Sequence, residues 1–145
     1  DFKIGAVVVV NAMGDIFDPH TGKKIAGMLN PQGNLETSTL DVLCSMPSPS
    51  EKENTTIGAI FTNAKFNKTE LTKIAGMAHD GFARAINPVH TMFDGDSIYA
   101  LSSGDIQVDI NIAGSLAAEV MAQAIVNAVK HTTASHGVPC ASDIH

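Results

Sequence analysis

The stretch SEKENTTIGAIFT, residues 50–62, places two threonines where a charged segment hands over to an apolar run. A threonine hydroxyl attacks a carbonyl only when a base takes its proton. An N-terminal threonine carries that base itself, because a freed α-amino group titrates at about 7.7–8.0. Thr55 gains such an amine if the Asn54–Thr55 bond is cut. The Ser/Pro/Glu/Lys stretch before it, residues 45–54, is a linker of the exposed kind that tolerates a cut. The plainer reading makes Thr55 and Thr56 β-formers opening a strand.

A second group lies in HTMFDGDS, residues 90–97, where Asp94 and Asp96 flank Gly95. In an extended chain both carboxylates point the same way, placed to orient a hydroxyl, hold an ammonium or share a proton. An Asp-Gly turn with solvated carboxylates competes with that reading. Asn11 directly follows the run IGAVVVV, and its amide suits donation to a developing oxyanion, or simply a turn beside Gly14. His79, His90 and Asp94 are ligand types for zinc or iron and suggest a metal-dependent hydrolase. Their spacing matches no HExxH helix, and His79 sits by an apolar helical stripe, where packing or capping is the better account of it. His20, His131, His136 and His145 are scattered and point to nothing.

These residues need elements to hold them. Ile4–Val10 and Thr55–Thr62 read as strands buried on both faces, and Ser97–Ser102 as a third. Asn67 with Glu70 resembles a capping box, opening a helix whose stripe is Leu71, Ile74, Ala75, Ala78, Phe82 and Ile86, and which Pro88 stops. A second helix is expected from Ala113 to about Thr132, with Leu116, Ala117, Val120, Met121, Ala124, Ile125, Ala128 and Val129 inward. Between Ile16 and Asn54, four prolines and three glycines interrupt the chain and no period is sustained. The order is mixed α and β, and three clear strands are few for a self-sufficient sheet.

At 145 residues, 44% apolar and 17% charged, the chain has the size and composition of one globular domain, residues 1–145. A net charge of −6, with Lys23–Lys24 the only adjacent basic pair, speaks against a nucleic-acid surface. The apolar runs look too short for a membrane span. Cys44 and Cys140 form no metal-type spacing, and two reduced thiols suit a cytoplasmic protein. The start, DFKIGAVVVV, lacks a methionine and reads as something other than a natural beginning.

Taken together, VVVVNAMGD and NTTIGAIFTNAKFNKTELTKIAGMAHDGFARAINPVHTMFDGDSIYALSSGD resemble the DmpA-type self-processing peptidase family. That family holds the β-peptidyl aminopeptidases, the L-aminopeptidase/D-esterases and the nylon-oligomer endo-hydrolases. The asparagine–threonine seam and paired aspartates look closest to the nylon-hydrolase-like branch. The resemblance implies an αββα sandwich of the N-terminal-nucleophile-like kind, here without its N-terminal part. It implies self-cleavage between Asn54 and Thr55, giving an α chain ending at residue 54 and a β chain of residues 55–145. Thr55 would be the nucleophile, Asp94 and Asp96 would hydrogen-bond and tune it, and Asn11 would stabilise the tetrahedral intermediate. Peptides or short amide oligomers are the implied substrates, with no cofactor and no metal. A homotetramer or larger assembly is implied, with an upstream α-chain segment that carries further active-site groups. A catalytically incomplete fragment or assembly module of the same family is the competing expectation.

Overall fold

A computed structural model describes residues 1–46 and 54–144, so residues 47–53 of the expected linker lie outside the described residues. Strand β1 (Ile4–Val9) pairs antiparallel with β4 (Ile57–Ala64), and β6 (Ser97–Ile106) pairs parallel with β4 on its other side. A parallel pair needs a crossover, and helix α2 (Lys68–Ala85) supplies it. Helix α3 (Ile110–Lys130) packs beside α2, and both lie on one face of the β1-β4-β6 sheet. The fold is mixed α+β, and this helix layer on a sheet layer is the α–β order expected of an αββα sandwich.

The capping box is present as read. Asn67 Oδ1 accepts the Glu70 N–H at 3.0 Å, while Glu70 Oε2 accepts the Asn67 N–H at 2.8 Å. Helix α2 ends at Ala85, and the short strand β5 (Ile86–Asn87) precedes Pro88. Helix α3 starts three residues before the expected Ala113, because the Asp109 carboxylate accepts the N–H groups of Asn111 and Ile112. Its inward face is also rotated from the expected one. Ala118, Ala122 and Val126 are buried, whereas Leu116 is exposed. The reason is close contact with α2, where Gly81 lies against the backbone of Ala118 and Ala122.

By length and composition α3 would cross a membrane, contrary to the expectation that every apolar run is too short. Ala113, Ala117, Met121 and Ile125 on it are fully buried in the core with Ile60, Ile74, Ala78 and Phe82, which is where a core helix of this composition belongs.

Strands β1 and β4 are covered on one face, not on both as expected. Ala6, Val8 and Ile60 pack toward the helices, while Val7, Val9, Ile57, Phe61, Tyr99 and Leu101 are exposed on the other. Alternation along a strand turns one set of side chains to each face, so all six share that side.

The aperiodic stretch holds three short elements: β2 (Asp15–Phe17), β3 (Lys24–Ala26) and α1 (Thr39–Ser45). A second antiparallel sheet has the order β3-β2-β5. The Asp15 carboxylate ties these pieces together. Its Oδ1 accepts from Met28 N–H (3.0 Å) and Thr39 Oγ1 (2.7 Å) and lies 2.8 Å from Lys24 Nζ, while Oδ2 accepts the Thr39 N–H at 2.9 Å. Burial alone would raise the Asp15 pKa, but Lys24 and the Thr39 and Met28 donors outweigh it and hold it below 3.8. Cys44 and Cys140 are both free thiols.

Two outcomes follow for stability. A depressed carboxylate pKa gives stability that is full above 3.8 and is lost as pH falls through the folded-state value. Asp15→Asn, which leaves Lys24 buried without its partner, is expected to cost about 3–5 kcal/mol at neutral pH. It also flattens the acid limb below pH ~4, where the unfolded carboxylate titrates; urea melts across pH measure both effects. On α2, Gly81→Ala drives a Cβ to 2.4 Å from the Ala118 carbonyl oxygen, whereas at Gly76 nothing lies within 4 Å. Denaturation curves are expected to show a loss of about 1–3 kcal/mol for Gly81→Ala. The opposite sign, a gain of about 0.5–1 kcal/mol, is expected for Gly76→Ala.

Candidate functional site

The parallel pairing that sets Ile57 opposite Ser97 continues beyond the strand ends. Ser97 N–H donates to Thr56 O at 3.0 Å, Gly95 N–H to Asn54 O at 2.8 Å, and Asn54 N–H to Phe93 O at 2.9 Å. Asn54 thus bridges Asp94 as a parallel pair. On its other side, the Thr55 N–H donates to the Asn11 carbonyl at 3.0 Å, just after β1. The Asn54–Thr55 bond therefore lies between Asn11 and the Asp94-Gly95-Asp96 stretch, and the three separate segments picked out in the sequence meet.

The two threonines part company here. Thr55 shares the alternation of Ile57 and Phe61 and stands on the side of the sheet away from the helices. Its Oγ1 rests against Gly95, where a Cβ would come within 2.9 Å of it. Thr56 points inward, fully buried, and among the described residues its hydroxyl has no hydrogen-bond partner.

The carboxylates also divide. Asp94 Oδ2 accepts both the N–H (2.9 Å) and the hydroxyl (2.7 Å) of Thr91, closing the turn before β6. Asp96 Oδ1 accepts the Thr56 N–H at 2.9 Å. Asp96 Oδ2 lies 2.9 Å from His90 Nδ1 but makes no aligned hydrogen bond. Of the two side chains, only Asp96 reaches the strand that carries Thr55, through Thr56; Asp94 stays within its own turn, on Thr91. From Asn11, the backbone carbonyl touches Thr55, and the side-chain amide is exposed.

His79 and His90 sit side by side at the helix–loop junction, with Nδ1 of His79 at 3.3 Å from Nε2 of His90. Burial, and then the neighbouring His90, push the His79 pKa below its usual value of 6.5, against smaller opposing pulls from Asp96 and Asp80. The third ligand of the metal reading, Asp94, is engaged with Thr91 instead. Among the described residues no group of three His, Cys, Asp or Glu side chains converges as a metal site.

Sequence reading missed Thr91, the His90–Asp96 contact and the Gly95 N–H. The glycine between the aspartates was visible as a signal. The register that aims its N–H at Asn54 was not, because a parallel offset is set by the crossover and the core.

The family model described as Peptidase family S58 matches residues 1–140. An uncharacterised aminopeptidase of Mycobacterium leprae is 32% identical over 94% of this chain and 42% of its own length. A 6-aminohexanoate-oligomer endohydrolase of Agromyces sp. is 32% identical over 90% of this chain and 41% of its own length. The chain thus spans less than half the length of the curated relatives it matches. Among solved structures, a Burkholderia sp. beta-aminopeptidase aligns with a TM-score of 0.45 at 23% identity, over 87% of this chain and 41% of that one.

The isolated Thr56 hydroxyl sets an expectation that separates it from its neighbour. Thr56→Val keeps the shape and removes a buried, unpaired polar group, so it is expected to stabilise the fold by about 1 kcal/mol, as read from urea midpoints.

Proposed function

Because the chain belongs to peptidase family S58, we propose that the protein is an amide-bond hydrolase that cuts itself at Asn54–Thr55 and then uses Thr55 as an N-terminal nucleophile. The observation that carries this reading is the seam itself. The Asn54 carbonyl is polarised by the Gly95 N–H at 2.8 Å, and the Thr55 hydroxyl packs on that same glycine. A donor already aimed at a carbonyl oxygen stabilises the charge that gathers there when the carbon becomes tetrahedral.

In self-cleavage, Thr55 Oγ loses its proton to a base and bonds to the Asn54 carbonyl carbon. The C–N bond breaks, and Thr55 nitrogen takes a proton and leaves as an amine. Water then hydrolyses the resulting ester, freeing the Asn54 carboxylate and the Thr55 hydroxyl. The new amine, about half neutral near pH 7.7–8.0, serves as the base for the next substrate. An incoming amide then forms its own acyl ester on Thr55, and the Gly95 N–H serves its carbonyl oxygen as it served that of Asn54. Asp94 and Asp96 hold the strand start and lend negative charge beside the new ammonium, and Asn11 adds a donor for the tetrahedral intermediate.

The relatives named as an aminopeptidase and an oligomer endohydrolase support peptides or short amide oligomers as substrates. In this reading the upstream α-chain segment covers the exposed face that carries Val7, Val9, Ile57, Phe61, Tyr99 and Leu101. A homotetramer or larger assembly completes the substrate cleft.

Mass spectrometry and N-terminal sequencing of the full-length protein test the proposal. A fragment beginning at Thr55 is expected, with Thr55→Ser still cutting and Thr55→Ala neither cutting nor hydrolysing a peptide or amide-oligomer substrate. Gly95→Ala, which crowds the Thr55 hydroxyl, is expected to slow the cut by on the order of tenfold. A chain that stays whole and is indifferent to Thr55→Ala would overturn the reading. A chain that cuts but turns over no amide would favour the assembly module instead.

A further inference from the structure

The Asp96 side chain is only 5% exposed, yet among the described residues its Oδ2 finds no aligned hydrogen bond. A buried carboxylate oxygen in that condition is costly unless a charge or donor sits beside it. The group beside it is His90, with Nδ1 at 2.9 Å. His90 reaches this place at φ 55°, in the left-handed region that is uncommon for residues with a side chain, although His enters it more often than most. A strained residue persists only where its surroundings over-determine it.

Helix α2 provides that constraint. The Phe82 ring stacks on His90 at 5.8 Å between centroids and 24° between planes. The His79 ring meets His90 edge-on at 4.8 Å, with its Nδ1 3.3 Å from His90 Nε2. The contacts form one line from α2: His79 to His90, His90 to Asp96, and Asp96 Oδ1 to the N–H of Thr56. That amide adjoins Thr55.

We propose that His90 is a positioning residue for the reaction: the 2.9 Å approach of its Nδ1 to Asp96 Oδ2 keeps the carboxylate against the Thr56 amide and so fixes the Thr55 hydroxyl beside the Asn54 carbonyl. This rests on the reading of Thr55 as the nucleophile. Around Asp96 and His90 stand His79 and the Phe82 ring from α2 and Thr56 from the start of β4, with Asp80 acting on His79. His90 Nδ1, at 2.9 Å, is the nitrogen that faces Asp96 Oδ2.

A purely structural role, in which the ring only fills the turn against Phe82, predicts different behaviour. The two roles separate because the ring and the donor can be removed one at a time. His90→Asn keeps an N–H₂ at the same bond distance from Cα and tolerates a left-handed φ, but loses the stack and the contact with His79. His90→Phe keeps a ring on Phe82 and loses the donor. His90→Gly relaxes the backbone and loses both.

The measurement is the first-order rate of Asn54–Thr55 cleavage in full-length protein, followed by mass spectrometry, with melting temperature recorded for each variant. His90→Asn is expected to cut within about threefold of wild type. His90→Phe and His90→Gly are expected to be slower by on the order of 10- to 100-fold, the loss of one hydrogen bond to a charged group. That order holds even where His90→Phe melts higher than His90→Asn. Rates that follow melting temperature instead, or His90→Asn as slow as His90→Gly, overturn the inference while leaving Thr55 in place. A wild type that does not cut, or cuts equally as Thr55→Ala, overturns the nucleophile reading and this inference with it.

Discussion

The offset between β4 and β6 decides what meets what in this molecule. Forty residues separate the partners from Asn54 with Asp94 to Thr62 with Ser102, after which the register shifts and Ala64 meets Ile106. The offset is fixed far from the seam, by α2 carrying the chain over the sheet and by Ile60, Phe82 and Met121 closing the core beneath it. Once it is fixed, the Asp-Gly-Asp stretch has no freedom left: its glycine N–H faces the Asn54 carbonyl and its second aspartate faces the Thr56 amide. Strand β1, joined antiparallel on the other edge, delivers the Asn11 carbonyl to Thr55 in the same way.

Two buried carboxylates show how differently the fold treats charge. Asp15 is surrounded by donors, two amides, a hydroxyl and the Lys24 ammonium, and it organises a stretch of chain with little other regular structure. Its place is that of an architectural group, because every lone pair has a use. Asp96 has one aligned donor and one strained imidazole for company. A fold that can satisfy Asp15 so fully has the means to satisfy Asp96, and at Asp96 it does otherwise. Such uneven treatment is what distinguishes a site from a scaffold.

What the sequence discloses depends on how local the determining physics is. The Asn67–Glu70 box closes within four residues, so α2 is legible to its first turn. Thr55, Asp94, Asp96 and Asn11 stand out as chemical types, and the ladder brings their segments together, although their individual partners are Thr91, Thr56 and His90 rather than one another. Helix α1 and strands β2 and β3 escape notice because three to seven residues cannot display a period. Their real signal is Asp15, whose partners lie up to 24 residues away. The rotation of α3 is hidden for a related reason. The apolar face of this helix, set opposite the stripe of Ser115, Glu119, Gln123 and Asn127, is wide and rich in alanine, and close contact with Gly81 helps decide which alanines go in.

Gly104, at the far end of β6, lies so close to β4 that a Cβ there would sit 1.9 Å from the backbone oxygen of Asn63. That close approach falls where the pairing shifts, between Thr62 opposite Ser102 and Ala64 opposite Ile106. The sheet therefore behaves like a ruler whose zero mark is a missing side chain. The reading at the other end of the ruler is which threonine stands before Gly95. With two threonines in succession, residue type alone gives no protection against a misreading, since a slipped strand would still offer a hydroxyl. Under the proposed reading, it is therefore the strand register, and not the residue type, that tells Thr55 from Thr56.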